Sequence, residues 1–318
     1  MSFVTSLIPK NLNQEKEKFF ADQTYNPQFR YAESIDQNKL EKYGPTTNAY
    51  LKIAENIVEK AYFGKTEDDL QKMEGPVVSQ RDIEKTIYTF LHMHNLQKRF
   101  KIVWSSSFVS RTSITADTIK LRLPPDFRKE GLLGMLYHEV GTHALRRINY
   151  EKQPWFKSKK KYGFSDYLKT EEGLATLHFL MPRSFKFAYW SALDYITVSK
   201  AQHASFVEIW NFLGTYIQNP ERRWLMALKK KRGLTDTSKP GGYTKDLVYF
   251  EGLIDVYGWL KKNNFDSTNL YFGKLALEDV EKAILLNPKF HPQLPSFLSL
   301  SKEKYAQEIK KIGDYNEL

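Results

Sequence analysis

The chain has 318 residues, of which 41% are hydrophobic and 14% aromatic, and its formal net charge is +11. No apolar run approaches the roughly 20 residues of a membrane span, and the first ten residues lack a secretory signal pattern, so we expect a globular protein of the cytoplasm without membrane contact. The chain has no cysteines, which excludes disulfides and thiolate metal ligands and leaves histidine and carboxylate side chains for any metal.

The first part of the chain is polar and then becomes helical. Residues 1–40 mix Asn, Gln, Lys and Pro with weak periodicity, which predicts a partly ordered N-terminal polar arm before a single α-rich domain over residues 41–318. Apolar residues at three- and four-residue spacing then predict amphipathic helices over residues 48–62 and 79–97. His92 and His94, on the second helix, are two residues apart and point to different faces, and we expect both at the surface.

A short β section follows these helices. Residues 101–105 and 118–123 have strand composition, and the polar residues 106–117 connect them. A helix is predicted to begin at Asp126, and from residue 173 onward the pattern is mainly helical. The fold class is therefore α+β, mostly α-helical, with a small β-sheet beside the helix that begins at Asp126.

This helix carries two histidines around a glutamate, at His138, Glu139 and His143. Neutral imidazole nitrogens bind zinc, and a neighbouring carboxylate can take a proton from an attacking water. Histidines five residues apart lie about 140° apart on a regular helix. A π-bulge brings such positions onto one face, so the spacing predicts a π-turn over residues 138–143. The alternative is that these residues are ordinary polar side chains on a half-buried helix.

Two adjacent carboxylates, Glu171 and Glu172, follow before a glycine and another apolar helical run. They are the best candidates for the third protein ligand that a hydrolytic zinc site needs. His178, six residues later, is predicted to be a packed histidine rather than a ligand. A strand that directly precedes a metal-binding helix commonly forms the sheet edge to which an extended peptide adds, which here predicts that role for residues 118–123.

Several blocks of the sequence together resemble one protein family. The blocks are HEVGTHALR, EEGLA, residues 222–237, and residues 245–249 with Gly252. They are similar to the microtubule-associated tyrosine carboxypeptidases and to bacterial relatives that carry a QEGLA motif, over about half of the chain. The resemblance implies a zincin-like metallopeptidase domain and a zinc-dependent carboxypeptidase that removes a C-terminal aromatic, tyrosine-like residue from an acidic peptide or protein tail.

The resemblance also implies roles for individual residues. His138, His143 and Glu172 would be the zinc ligands, and Glu139 would be the general base. Glu171 stands where the relatives have Gln, and it would orient a histidine from behind, as metal sites usually require. The N-terminal region shows no resemblance to a microtubule-binding segment, which leaves tubulin open as the substrate.

Substrate binding needs further polar groups. By the resemblance, Tyr249 would stabilise the developing oxyanion, although an aromatic residue on a core helix face is the alternative. A terminal carboxylate is commonly held by arginine, and the candidates are Arg223, Arg232 and Lys245.

The composition raises two alternatives to a peptidase. The basic charge suits acidic partners, so a binding or regulatory protein with a metallopeptidase fold and no catalysis is the main alternative. Nucleic-acid binding is not expected, because no basic and aromatic motif accompanies the charge. The sequence leaves the oligomeric state undetermined.

Overall fold

The computed structural model describes residues 3–108 and 110–318, and within them the chain is mostly helical with one three-stranded sheet. The helices in chain order are α1 Phe3–Ser6, α2 Leu12–Ala21, α3 Gln37–Leu40, α4 Asn48–Tyr62, α5 Glu67–Lys72, α6 Gln80–Met93, α7 Lys129–Leu136, a π-helix Tyr137–Ala144, α8 Leu145–Glu151, α9 Leu168–Leu180, α10 Tyr189–Ala201, α11 Phe206–Gly214, α12 Pro220–Lys231, α13 Leu247–Lys262, α14 Val280–Leu286, α15 Ser296–Ser299 and α16 Lys302–Asn316. The strands are β1 Lys101–Ser105, β2 Thr112–Ile114 and β3 Thr118–Arg122. Short 3₁₀ turns lie at Lys159–Tyr162, Thr244–Asp246, Thr268–Tyr271 and Leu277–Asp279. The expected α+β class, mostly helical with a small sheet, is confirmed.

Contacts divide the chain into two compact units. The first joins Met1–Leu70 with Ala188–Phe250, and the second joins Gln71–Phe187 with Glu251–Leu318. The expected division at residue 40 into an arm and one domain stays a prediction. Met1 and Ser2 of that arm, and Val109 of the predicted connection between strands, lie outside the described residues. No helix in the described ranges is both long enough and apolar enough to cross a bilayer.

Residues 3–40 are ordered within the first unit despite their polar composition. Phe19 on α2 is fully buried, with its ring centroid 5.1 Å from that of Phe206, 4.9 Å from that of Trp210 and 5.2 Å from that of Trp224. Aromatic side chains bury a large apolar area each, so the contacts of Phe19 help to attach an otherwise polar helix. Helix α4 has the bounds that its periodicity predicts, and Thr47 caps its N-terminus.

The sheet of the second unit has the order β1-β3-β2. Strand β3 pairs with β1 in parallel and with β2 in antiparallel. The polar segment between the two predicted strands contains a third strand, β2. The expectation that residues 118–123 form the edge of the sheet is wrong, because β3 is the central strand. Because both of its edges are already paired, β3 cannot pair with an extended peptide. Only an outer strand of the sheet could do so.

A continuous helical segment forms the centre of the second unit. Helix α7, the π-helix and α8 follow one another without a break from Lys129 to Glu151, and α9 packs along the π-helix. His94 lies nearby and is buried: its Nδ1 is 2.8 Å from the carbonyl oxygen of Phe90, and its Nε2 accepts from the Ser296 amide at 2.9 Å. The expectation of a surface position for His94 is wrong. The local sequence pattern could not indicate its burial, because its partner Ser296 is distant in sequence. His92 is exposed, as predicted.

Candidate metal centre

The predicted π-turn is present and is longer than the spacing requires. The π-helix runs over Tyr137–Ala144 and includes both histidines of the motif. The Nε2 atoms of His138 and His143 lie 3.0 Å apart. The widened turn is what brings positions five residues apart onto one face, and the prediction of a π-turn is confirmed.

Gly141 is in the middle of this turn, where the structure leaves no room for a side chain. A Cβ at Gly141 would lie 2.6 Å from a ring carbon of Phe297. The Gly141 carbonyl oxygen also accepts a hydrogen bond from the Tyr271 hydroxyl at 2.7 Å. The glycine therefore allows a close aromatic contact, and a tyrosine from another part of the unit satisfies its carbonyl group.

Helix α9 supplies the carboxylate of Glu172. One of its oxygens lies 3.8 Å from His138 Nε2 and 3.4 Å from His143 Nε2. The next residue, Gly173, contacts the backbone of Gly252 on α13, and a Cβ at Gly173 would lie 2.1 Å from the Gly252 carbonyl carbon. The two glycines let α9 and α13 touch backbone to backbone, and this contact sets the position of the adjacent Glu172.

The three side chains have the composition and spacing that zinc requires. One potential ligand atom from each of His138, His143 and Glu172 lies within 4.8 Å of the other two. Zinc bonds of 2.0–2.2 Å in a tetrahedron place neighbouring ligand atoms about 3.4 Å apart, and the distances of 3.0, 3.4 and 3.8 Å lie around this value. Two imidazoles and one carboxylate also leave a fourth position for water, as catalytic zinc sites do.

The charges around the histidines differ between the two rings. Burial lowers the pKa of His138, which favours the neutral form that binds metal. Burial also acts to lower the pKa of His143, but the carboxylates of Glu172 and Glu171 outweigh it and raise that pKa to about 10. Without a metal, His143 therefore holds a proton between two carboxylates, and a bound cation would replace that positive charge.

Glu171 faces away from the candidate ligand atoms and contacts His143 from behind. Its Oε1 accepts from His143 Nδ1 at 2.9 Å and from Lys274 Nζ at 2.7 Å, and its Oε2 accepts from the buried Arg146. Neither cation was predicted from the sequence. Arg146 lies three residues after His143, one helical turn away, which is a usable signal, whereas nothing near Lys274 in the sequence indicates this position.

Glu139 is buried beside the sheet. The Thr112 hydroxyl on β2 donates a hydrogen bond of 2.5 Å to Glu139 Oε1. This contact orients the carboxylate and leaves its second oxygen available for a proton. Thr112 is not among the residues predicted from the sequence, because it lies in the polar segment between the two predicted strands.

The remaining candidates lie in the first unit. The Lys245 ammonium is 3.3 Å from the Tyr249 hydroxyl. The Arg232 guanidinium lies 4.9 Å from the Tyr243 ring centroid. Arg223 donates to the Ile217 carbonyl oxygen at 2.9 Å, and its guanidinium lies 4.6 Å from the ring centroid of Trp210. The contacts of Arg223 are those of a structural residue, and the substrate-binding roles of these side chains stay predictions.

His178 is fully buried on α9 and is hydrogen-bonded through both ring nitrogens, to Thr142 and Tyr305. The prediction of a packed histidine is confirmed.

Comparison with known proteins gives a consistent match. The family model described as "Microtubule-associated tyrosine carboxypeptidase" matches residues 32–294. The chain is 32% identical over 327 residues to a Mus musculus protein named "Putative tyrosine carboxypeptidase MATCAP2", an alignment that covers all of this chain and 62% of the relative. It is 32% identical to the Mus musculus "Microtubule-associated tyrosine carboxypeptidase 1" and 31% identical to the Homo sapiens protein of that name, covering 99% of this chain and 69% and 68% of those relatives.

Proposed function

The chain belongs to the microtubule-associated tyrosine carboxypeptidase family, and on that premise we propose that it is a zinc-dependent metallocarboxypeptidase with a zincin-like fold. Its substrate would be an acidic peptide or protein tail, from which it removes a C-terminal aromatic, tyrosine-like residue. The chain spans 62% of the length of the first MATCAP2 relative, so the activity of the whole relative is carried over here as a proposal. The observation that carries the proposal is the π-helix that turns His138 and His143 toward Glu172.

His138, His143 and Glu172 would hold the zinc ion. Zinc at this position would act as a Lewis acid and would lower the pKa of a coordinated water to about 7. The carboxylate of Glu171 would keep the His143 ring oriented through its bond to Nδ1, which leaves Nε2 for the metal.

Glu139 would be the general base. Its Oε1 is held by the Thr112 hydroxyl, so Oε2 is the oxygen that would take a proton from the attacking water. As the carbon–nitrogen bond breaks, the same oxygen would deliver that proton to the departing amine nitrogen. The carboxylate thus returns to its starting state, and the reaction consumes one water for each residue removed.

Strand β2 is the edge on which we expect the substrate backbone to lie. The amide of Arg122 donates to the Arg111 carbonyl oxygen, and the amide of Thr115 donates to the Thr118 carbonyl oxygen. Because hydrogen-bonding direction alternates along an antiparallel strand, the backbone groups of Thr112 point away from β3. An extended peptide could pair with them, and the contact of Thr112 with Glu139 would bring it beside the general base.

Recognition of the terminal carboxylate is proposed from the resemblance. Arg232 and Lys245 are the stronger candidates, because Arg223 already donates to a backbone carbonyl and packs on a tryptophan. Tyr249 remains the candidate for stabilising the oxyanion. Replacing a carboxylate-binding residue should raise KM for peptides with a free C-terminus, whereas replacing an oxyanion-stabilising residue should lower kcat.

The name of the relatives, which associates them with microtubules, supports a cytoplasmic location and a protein tail as the substrate. No observation favours nucleic acid as a partner.

The experiment that tests this function is mass spectrometry of acidic peptides incubated with the zinc-loaded protein. The peptides end in Tyr, Phe, Glu or Ala, and Glu139→Gln is the matched control, because it keeps the size of the side chain and removes the base. We expect loss of one C-terminal residue, fastest for Tyr, and no loss with the control. Internal cleavage would contradict the exopeptidase assignment, and no cleavage of any peptide would favour the binding protein.

A further inference from the structure

A series of hydrogen bonds connects α16 to the π-helix through α9. The Tyr305 hydroxyl lies 2.9 Å from His178 Nε2, and His178 Nδ1 lies 2.7 Å from the Thr142 hydroxyl. The Thr142 hydroxyl donates to the Tyr137 carbonyl oxygen at 2.9 Å. Tyr305, His178 and Thr142 are at most 1% exposed. Since water cannot replace a lost partner at this depth, each bond constrains its neighbours.

The direction of the series follows from the number of protons. The Thr142 hydroxyl has one proton, which it gives to Tyr137, so the His178 Nδ1 must donate to Thr142. Burial lowers the pKa of His178 well below its usual value, so the ring is neutral and carries this proton alone. Nε2 is then an acceptor, and the Tyr305 hydroxyl donates to it. The tyrosine thereby selects the tautomer that Thr142 needs.

The last bond in the series favours the widened turn. In a regular α-helix, a threonine hydroxyl bonds to the carbonyl oxygen three or four residues earlier. Thr142 instead bonds to Tyr137, five residues earlier. Tyr137 and Thr142 directly precede His138 and His143, so this bond spans the same interval as the two candidate ligands.

We propose that His178 and Tyr305 are positioning residues that hold the π-turn through Thr142 and thereby hold the spacing of His138 and His143. The proposal rests on the proposed function as far as zinc is concerned. Tyr305 lies beyond residue 294, where the match to the family model ends. Phe297 supports the same region, since its ring is stacked 4.2 Å from that of Tyr137. The C-terminal segment of the chain is thus part of the support of the metal centre.

The first test measures zinc affinity of the full-length protein by competition with a chelator. An asparagine amide can donate from about the position of Nδ1, whereas a glutamine amide reaches the position of Nε2. His178→Gln should therefore raise the zinc Kd about 10- to 100-fold, the usual cost of losing such support, and His178→Asn should raise it less. Tyr305→Phe should also raise the Kd when His178 is present, and it should add little in the His178→Asn variant.

The matched control is Tyr62→Phe. The Tyr62 hydroxyl in the first unit is buried and has no hydrogen-bond partner among the described residues, so its removal should leave the zinc Kd unchanged. An equal loss of affinity in Tyr62→Phe and Tyr305→Phe, or an unchanged Kd in His178→Gln, would overturn the proposal.

The second test needs no metal. Hydrogen exchange of the amides of residues 137–144 in the metal-free protein should be faster in His178→Gln and Tyr305→Phe than in the unmodified protein or in Tyr62→Phe. If the unmodified protein binds no zinc but this difference is found, the proposed function fails and the positioning role stands. If zinc binds normally and neither exchange nor Kd changes in these variants, the positioning role fails and the proposed function stands.

Discussion

The Nδ1 atom of His143 lies 2.9 Å from Oε1 of Glu171, so the first carboxylate of the adjacent pair holds a candidate ligand instead of facing the metal position. Burial acts to raise the pKa of Glu171, but Lys274, Arg146 and His143 together lower it well below its usual value. Glu171 is therefore an ionised carboxylate with three cationic or hydrogen-bonding neighbours, and it couples the candidate metal centre to the surrounding fold.

Replacing Glu171 should weaken both metal binding and folding. In Glu171→Gln the fully buried Arg146 loses its carboxylate partner, which costs about 3–5 kcal/mol of unfolding free energy. The zinc Kd should rise about tenfold or more, because the His143 ring is less firmly held. Urea unfolding and chelator competition measure the two effects. Glu308→Gln, which removes a more exposed partner of Lys186, is the control and should leave the zinc Kd unchanged.

The candidate ligands predict a defined metal content. We expect one equivalent of zinc per chain by elemental analysis of the purified protein, and loss of that equivalent in a His138→Ala, His143→Ala double variant, because two of the three ligands are gone. His203→Ala, at an exposed position, is the control. Zinc retained in the double variant would refute the ligand assignment.

The contact between α9 and α13 makes two glycines sensitive to substitution. A Cβ at Gly252 would lie 2.1 Å from the Lys169 carbonyl oxygen, and one at Gly173 would be equally close to Gly252. Because backbone would have to move, each change to alanine should lower the unfolding free energy by about 1–3 kcal/mol or more. Gly258→Ala on α13 is the control, and it should raise the unfolding free energy instead of lowering it. A Cβ at Gly258 would meet nothing within 4 Å, and alanine should stabilise the helix by about 0.5–1 kcal/mol. Thermal unfolding distinguishes the two outcomes.

Glu67 in the first unit predicts a dependence of stability on pH. Its side chain is 1% exposed, and burial raises its pKa to about 7 although Arg222 opposes the rise. The folded protein thus binds the proton more tightly than the unfolded chain, so stability falls as pH rises from about 4.5 to 7, by roughly 3 kcal/mol in total. Glu67→Gln should remove this part of the dependence. Unfolding free energies of both proteins at pH 5 and pH 8 test it, and the same slope in both would exclude Glu67 as the cause.

The local patterns of the sequence were sufficient for the features that depend on neighbours along the chain. The five-residue interval between His138 and His143 predicted the π-turn, because a regular helix would separate the rings by about 140°. The periodicity of residues 48–62 predicted helix α4 with its observed bounds. The strand composition of residues 101–105 likewise predicted β1.

Contacts between distant residues decided the rest. The three-residue strand β2 is too short to stand out in the sequence and exists because it pairs with β3. His94 is buried because Ser296 reaches it, and Glu171 is held by Lys274, 103 residues away. The sequence by itself determined which residues could bind a metal and how the helix that carries them must be wound. Only the tertiary structure decided which side chains support them, because hydrogen bonds and ion pairs between residues that are distant in the sequence form only when the fold has brought both partners together.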